Sequence, residues 1–335
     1  MKKSFYIVFF MRYPFLLIFC FAVTTSVAQN DIPGKFRKDV AEAQRAERYG
    51  QSDKAIKILE SCIKDDPETI YYPMEIALIY FRRRDWDKAI ARLETLRYHK
   101  QTNASVYELL ARSYFMGRQE KKGVAILEKG LALYPGSGIL CFEAGEYYLS
   151  HGDTTMALNC YEKGTLSKDN PLKCFYNTAI LYGMQGRYEA AFVMAEMAMN
   201  LDTRSWYLPQ LSKLYYQCSR RLFPAFYQPF TTRDSVLKVI ARHRFVTSLD
   251  TACYHLLVTR STEMLYSQNT QQWNKAMISR RGAIDKAGHL EAYEYWLMMF
   301  ADNDGFNKWK DDNPEKWNAF LGWFRKKRKL ADMQG

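Results

Sequence analysis

The stretch GEYYLSHGDTTMALNCYEKG, residues 145–164, decides the fold, because its residue types recur along the chain at one fixed interval. It carries small residues at Gly145, Ala157 and Gly164, a ring at Tyr148, a helix break at Gly152 and an acid at Glu162. A step of the length that separates Ala157 from Ala191, taken in either direction, returns the same types. Ala157 belongs to the series Ala55, Ala89, Gly123, Ala157, Ala191, and Glu162 to the series Glu60, Glu94, Glu128, Glu162, Glu196. Gly145 falls among Ala43, Ala77, Ala111, Gly145 and Ala179, and Tyr148 among Ala46, Tyr80, Tyr114, Tyr148 and Tyr182. Gly164 follows Cys62, Leu96 and Gly130 and precedes Ala198. Five units in phase without an insertion mark a tandem helix–turn–helix repeat. Small residues suit the points where two helices cross closely, and the ring fills the gap the pair leaves. Gly50, Gly117, Gly152 and Gly186 read as the turn within a unit, while Pro67, Pro135 and Pro171 end its second helix.

This pattern resembles the tetratricopeptide repeat family over about residues 36–205. The resemblance implies an all-α fold, a right-handed α-solenoid of units 36–69, 70–103, 104–137, 138–171 and 172–205, whose usual work is holding other proteins. Gly123 and Gly145 depart from the family's alanine, and no proline follows the second or fifth unit. Carried forward, the register starts a sixth unit at Trp206, with Tyr216 at the ring position and Ala225 at the small one. Pro224 and Pro229 would break its second helix, so the regular array ends near Arg221. Residues 206–232 therefore read as a degenerate repeat and an apolar hinge containing Phe223, Phe226, Tyr227 and Phe230.

Residues 233–330 read as helical but off the earlier phase, with one helix from Asp250 to about Leu265 and an antiparallel partner from Trp273 to Lys286. Ala283, Gly288, His289 and Ala292 resemble the helix junction of Sel1-type repeats. Pro314 fits the first turn of a final helix with Asn313 as its cap. The end of the chain is rich in rings, including Tyr293, Tyr295, Trp296, Phe300, Phe306 and Phe320. Two readings are open for them: a hydrophobic seal over the end of the stack, or a docking face for glycan or a cell-wall partner through Trp309, Trp317 and Trp323.

Residues 1–28 stand outside this pattern. Lys2, Lys3 and Arg12 lead into an apolar stretch from Phe15 to Val23, then Ser26 and Ala28, which is the layout of a secretory signal peptide cut after Ala28. Translation from Met11 would leave a conventional short leader. The alternative is an uncleaved membrane anchor, disfavoured because Arg12 and Pro14 shorten the apolar run below the ~20 residues of a spanning helix. Phe19 before Cys20 does not fit bacterial lipid attachment. Export to the periplasm is the expectation. Removal of the leader lowers the net charge from +12 to about +9, a surplus that suits an anionic partner or surface, with the basic run from Arg325 to Lys329 as a candidate contact. Nucleic acid is not expected for an exported chain. Cys62, Cys141, Cys160, Cys174, Cys218 and Cys253 show no CxxC spacing and read as packing thiols, with a Cys141–Cys160 disulfide as the alternative in an oxidising compartment.

No motif of catalysis stands out. His99, His151, His243, His255 and His289 lie far apart, and no H-E-x-x-H, nucleophile elbow or phosphate-binding glycine loop occurs. The repeated glutamates read as helix-surface ion pairs, since equivalent residues on stacked helices stand about 10 Å apart. No enzymatic activity, metal, cofactor or small-molecule substrate is expected. In the family resembled, positions 2, 5, 9 and 12 of each first helix line a concave face. Here they include Tyr71, Met74, Leu78, Phe81, Glu108, Arg112, Phe115, Phe142, Glu146, Tyr176 and Ile180. Val40, Gln44, Met74 and Leu78 stand where that family's carboxylate clamp has lysine and asparagine, so such a clamp is not expected. A mostly apolar groove suits a peptide with hydrophobic anchors. The expected partner site is Tyr71, Met74, Leu78, Arg112, Phe115, Phe142 and Tyr176, for a scaffold or adaptor that binds a protein or peptide of the cell envelope.

Overall fold

The computed structural model describes residues 37–168, 171–201, 206–222 and 279–326. The expected signal peptide, the hinge residues after Leu222, the helix from Asp250, Trp273, Cys253 and the basic residues from 327 to 329 lie outside the described residues. Among the described residues the secondary structure is helical, with no strand. The chain forms two compact units, residues 1–126 and 127–335, divided within one helix.

The first unit holds α1 (Arg37–Arg48), α2 (Ser52–Asp65), α3 (Tyr71–Arg82), α4 (Trp86–Leu96), α5 (Ala104–Met116) and the first half of α6 (Glu120–Leu133). From α1 to α5, each helix packs against the next. Ala55, Ala77, Ala89 and Ala111 are wholly buried at these crossings, where a larger side chain would hold the helices apart. Gly123 serves the same purpose for α5 and α6, because a Cβ there would lie 2.5 Å from the Phe115 ring.

The second unit holds the rest of α6, then α7 (Gly138–Ser150), α8 (Thr154–Thr165), α9 (Leu172–Met184), α10 (Tyr188–Leu201) and α11 (Leu208–Leu222). After the helical residues 279–286 come α12 (Leu290–Met298), α13 (Asn303–Asp312) and α14 (Pro314–Lys326). A Cβ at Gly145 would overlap the Tyr161 ring, and one at Gly164 would overlap Cys174 Sγ. Helix α10 is buried along its whole middle, from Ala190 to Asn200, because α9 and α11 both pack on it. Cys62, Cys141, Cys160, Cys174 and Cys218 are free thiols, so the Cys141–Cys160 bridge does not form. Burial raises the Cys62 and Cys160 thiols and pushes Cys218 up to about 12.

The turn inside each helix pair is uniform. Gly50, Arg84, Arg118, Gly152 and Gly186 all hold left-handed backbone, at φ 73°, 63°, 58°, 80° and 76°. In each case the following N–H closes on the carbonyl five residues earlier: Gln51 on Ala46, Asp85 on Tyr80, Gln119 on Tyr114, Asp153 on Tyr148 and Arg187 on Tyr182, at 2.8–3.0 Å. Gly117 lies in the turn of the third unit as expected, at φ −80°, and the left-handed position falls one residue later on Arg118. The same turn recurs at Gly288, φ 73°, where the His289 N–H reaches the Ile284 carbonyl at 3.0 Å. Gly288 lies a whole number of repeat periods after Gly50, so the C-terminal helix pair is in phase with the array and not off it. The side-chain pattern hid this. The two positions that hold small residues in the five units are occupied here by Arg281 and Tyr293.

The C-terminal rings pack on one another. Tyr295 stacks on Trp309 at 4.3 Å, Phe306 meets Trp317 edge-on at 5.1 Å, and Phe320 lies 5.0 Å from Phe324. Trp309, Phe320 and Phe324 are buried, while Trp317 and Trp323 are half-buried. The seal reading accounts for these contacts. A glycan face would lose Trp309. His289 stands at the start of α12, as a helix-start residue should. Pro314 opens α14, while Asn313 turns its side-chain N–H back onto the Trp309 carbonyl at 2.9 Å.

Candidate first-helix binding surfaces

In the first unit the side chains expected to line a groove are packed. Tyr71, Met74 and Leu78 are 3 %, 1 % and 1 % exposed, so α3 presents them to the core rather than to an open stripe. Gln44 of α1 donates to the Tyr71 hydroxyl at 3.2 Å, and burial pushes that phenol up to about 12. One unit on, the Arg112 guanidinium pairs with Glu108 one turn back at 2.8 Å and lies 4.9 Å above the Phe81 ring. The pair is largely withdrawn from solvent, and Glu108 is buried. Phe115 is half-buried against Gly123. These five residues thus belong to two packed groups of the first unit.

In the second unit the expected residues lie among partly exposed neighbours. Phe142 is buried beneath the Lys173 ammonium, which stands 4.6 Å over its ring. Glu146 accepts from the Tyr161 hydroxyl at 2.6 Å and from Asn177 Nδ2 at 3.2 Å. Burial first, and the Glu146 carboxylate second, drive the Tyr161 phenol far above its ordinary range. Tyr176 on α9 leans on Tyr207 with ring centroids 4.5 Å apart, and Trp206 follows at 5.9 Å from Tyr207, 55 % exposed. Tyr176, Tyr207 and Lys173 are half-buried. Lys173, Asn177, Trp206 and Tyr207 therefore join Phe142 and Tyr176 in one cationic and aromatic shelf. The sequence signal that would have found Trp206 and Tyr207 is the repeat register itself, which places Tyr207 at the second position of the sixth first helix.

The repeated glutamates do more than form surface ion pairs. Glu94 accepts the Tyr114 hydroxyl at 2.6 Å while holding Arg97 at 2.5 Å, and Glu162 accepts the Tyr182 hydroxyl. In both cases the ring position of one unit is tied to the acid of the unit before it. Glu60 meets Arg92 at 3.5 Å. By this rule Glu196 would bond Tyr216, but it receives the Tyr293 hydroxyl at 2.8 Å and the Arg281 guanidinium at 3.1 Å.

Among the described residues no group of His, Cys, Asp and Glu side chains is placed to hold a metal ion. No described helix is long and apolar enough to cross a membrane.

No protein-family profile matches the sequence, and a search of curated proteins finds no match. Solved structures are similar in fold. A thermophilic tetratricopeptide protein of Thermus thermophilus is 16 % identical, with 54 % of this chain and 97 % of that one covered, at a TM-score of 0.42. The C-terminal part of a tetratricopeptide repeat-containing protein of Cytophaga hutchinsonii is 12 % identical over 78 % of this chain and 94 % of that one, at 0.42. A tetratricopeptide repeat protein of Parabacteroides merdae is 13 % identical over 74 % and 100 %, at 0.38.

Proposed function

We propose that this chain, an array of helix pairs of tetratricopeptide type, is an exported scaffold without enzymatic activity that holds another protein or peptide of the cell envelope along its first helices. The observation that carries the reading is the shelf of Tyr176, Tyr207 and Trp206 beside Lys173, which leaves large rings and a cation within reach of a ligand. Aromatic anchors of this kind dominate binding energy at protein interfaces. Tyr176 is the contact residue of the expected set in this reading, with Lys173, Asn177, Trp206 and Tyr207 added, while Phe142 lies buried beneath Lys173 and supports it. Tyr71, Met74, Leu78, Arg112 and Phe115 support the helices that carry the first unit's surface. Export is supported by the basic, apolar and small-residue order of residues 1–28.

The test is a photo-crosslinker at Trp206 of the full chain, applied in the native cell envelope, with Tyr176→Ala as the companion variant. One dominant envelope protein is expected at Trp206 and should be lost with Tyr176→Ala. An empty result from a chain of unchanged helix content refutes the binding surface. N-terminal sequencing of the mature chain tests export separately, with Gln29 expected as the first residue.

A further inference from the structure

The fifth repeat ends on a buried polar cluster that no other unit has among the described residues. Glu196 is fully buried, and its Oε1 accepts both the Tyr293 hydroxyl at 2.8 Å and Arg281 Nη1 at 3.1 Å. Its other oxygen is buried without a hydrogen-bond partner. One turn later, Asn200 donates to the Tyr293 hydroxyl at 2.6 Å and accepts from Arg280 Nε at 2.7 Å. Arg281 also pairs with Glu294, which takes the Tyr215 hydroxyl of α11 at 3.1 Å. The Arg280 guanidinium lies 4.9 Å above Phe324, so α14 is tied to the same cluster.

Three features of the repeat register give this cluster a meaning. Arg281 and Tyr293 occupy the two positions that are small in the five units, so the C-terminal pair departs from the repeat at the two places that touch Glu196. Asn200 stands where the other units have Lys64, Tyr98, Ala132 and Leu166. An ordinary repeat offers this acid one tyrosine hydroxyl, as Tyr114 offers Glu94, and small residues at the two other positions, whereas the C-terminal pair brings a guanidinium to a carboxylate that is fully buried. Buried ion pairs add little net stability over apolar packing, but removal of one member is strongly unfavourable, and their best-attested use is to fix register.

We propose that Glu196 and Asn200 form a docking code on α10, read by Arg280, Arg281 and Tyr293, which selects the C-terminal helix pair in place of another ordinary repeat and so ends the array. The recognition is within the chain, between elements far apart in sequence. Apolar packing of α12 against α11 supplies adhesion, and the polar cluster decides what may adhere.

The experiment compares the full chain with Glu196→Gln and with the double variant Glu196→Gln/Arg281→Gln, by amide hydrogen exchange. Glu196→Gln keeps the shape but leaves the buried arginines over-balanced, so protection of residues 290–298 is expected to fall about 100-fold while α7 and α8 are unchanged. Charge balance returns in the double variant, which is expected to recover to within about tenfold of the parent. Protection within about threefold of the parent in Glu196→Gln would overturn the proposal, as would a double variant no better than the single. A loss of equal size in α7 and α8 would also overturn it, because the cluster would then serve stability in general.

Discussion

Replacement of Arg84 and Arg118 by glycine is expected to stabilise the chain, although it deletes two long side chains and their charges. Both residues sit in left-handed backbone, at φ 63° and 58°, in turns where the equivalent residues are Gly50, Gly152 and Gly186. Both are exposed, and neither side chain makes a hydrogen bond or ion pair among the described residues, while each backbone N–H bonds a carbonyl three residues back, as glycine's also can. A side chain in that conformation costs roughly 1–2 kcal/mol from its Cβ pressing on the following carbonyl. Glycine removes that strain but gives up about 0.5–1 kcal/mol through the greater freedom of the unfolded chain. The balance is a gain of about 0.5–1 kcal/mol per site, and about 1–2 kcal/mol for both if they add. With a urea slope of about 3 kcal/mol per molar, the double variant should shift the midpoint of the first unit upward by roughly 0.3–0.7 M. Repeat arrays need not melt in one step, so the midpoint is best read from hydrogen exchange in α3 to α5 across a urea series as well as from helix ellipticity. The reciprocal change, Gly152→Arg, should lower the midpoint of the second unit by a similar amount. An unchanged or lower midpoint in the double glycine variant would refute the strain argument.

Packing and titration each supply a further test. Gly145→Ala drives a methyl into the buried Tyr161 ring, whose hydroxyl is held by Glu146, so the ring cannot swing aside freely; a loss of about 1–3 kcal/mol is expected in urea unfolding. A variant as stable as the parent would show that the α7–α8 crossing has room to spare. The Tyr71 and Tyr114 phenols are both pushed up to about 12, chiefly by burial, against about 10 in an unfolded chain. Their folded values are raised, so the stability they contribute is fully present below pH ~10 and is lost as pH rises towards 12. Urea midpoints from pH 8 to 11.5 should hold steady and then fall, and Tyr114→Phe should shallow the fall; a profile identical to the parent's would count against that assignment.

The helix-pair architecture was legible because it is written in local terms. A strict repeat, with small residues at crossings and breaks between, specifies each turn and each helix from residues close in sequence. The same periodicity placed Tyr71, Met74 and Leu78 on one stripe of α3 but said nothing of their burial, since the period identifies a face and not what lies against it. At Gly117 it marked the turn correctly, but which turn residue is left-handed was settled by backbone geometry, which puts Arg118 there. The C-terminal pair escaped detection because Arg281 and Tyr293 erase the small-residue signature while Gly288 preserves the turn. The sequence by itself thus determined the helices, their pairing with immediate neighbours and the turn that joins them, all set by short-range sterics. Only the tertiary structure decided that Glu196 pairs with the distant Tyr293, and that Trp206 and Tyr207 complete a shelf with Tyr176. Those choices rest on which buried polar groups satisfy one another, and that depends on distance in space, which no local pattern encodes.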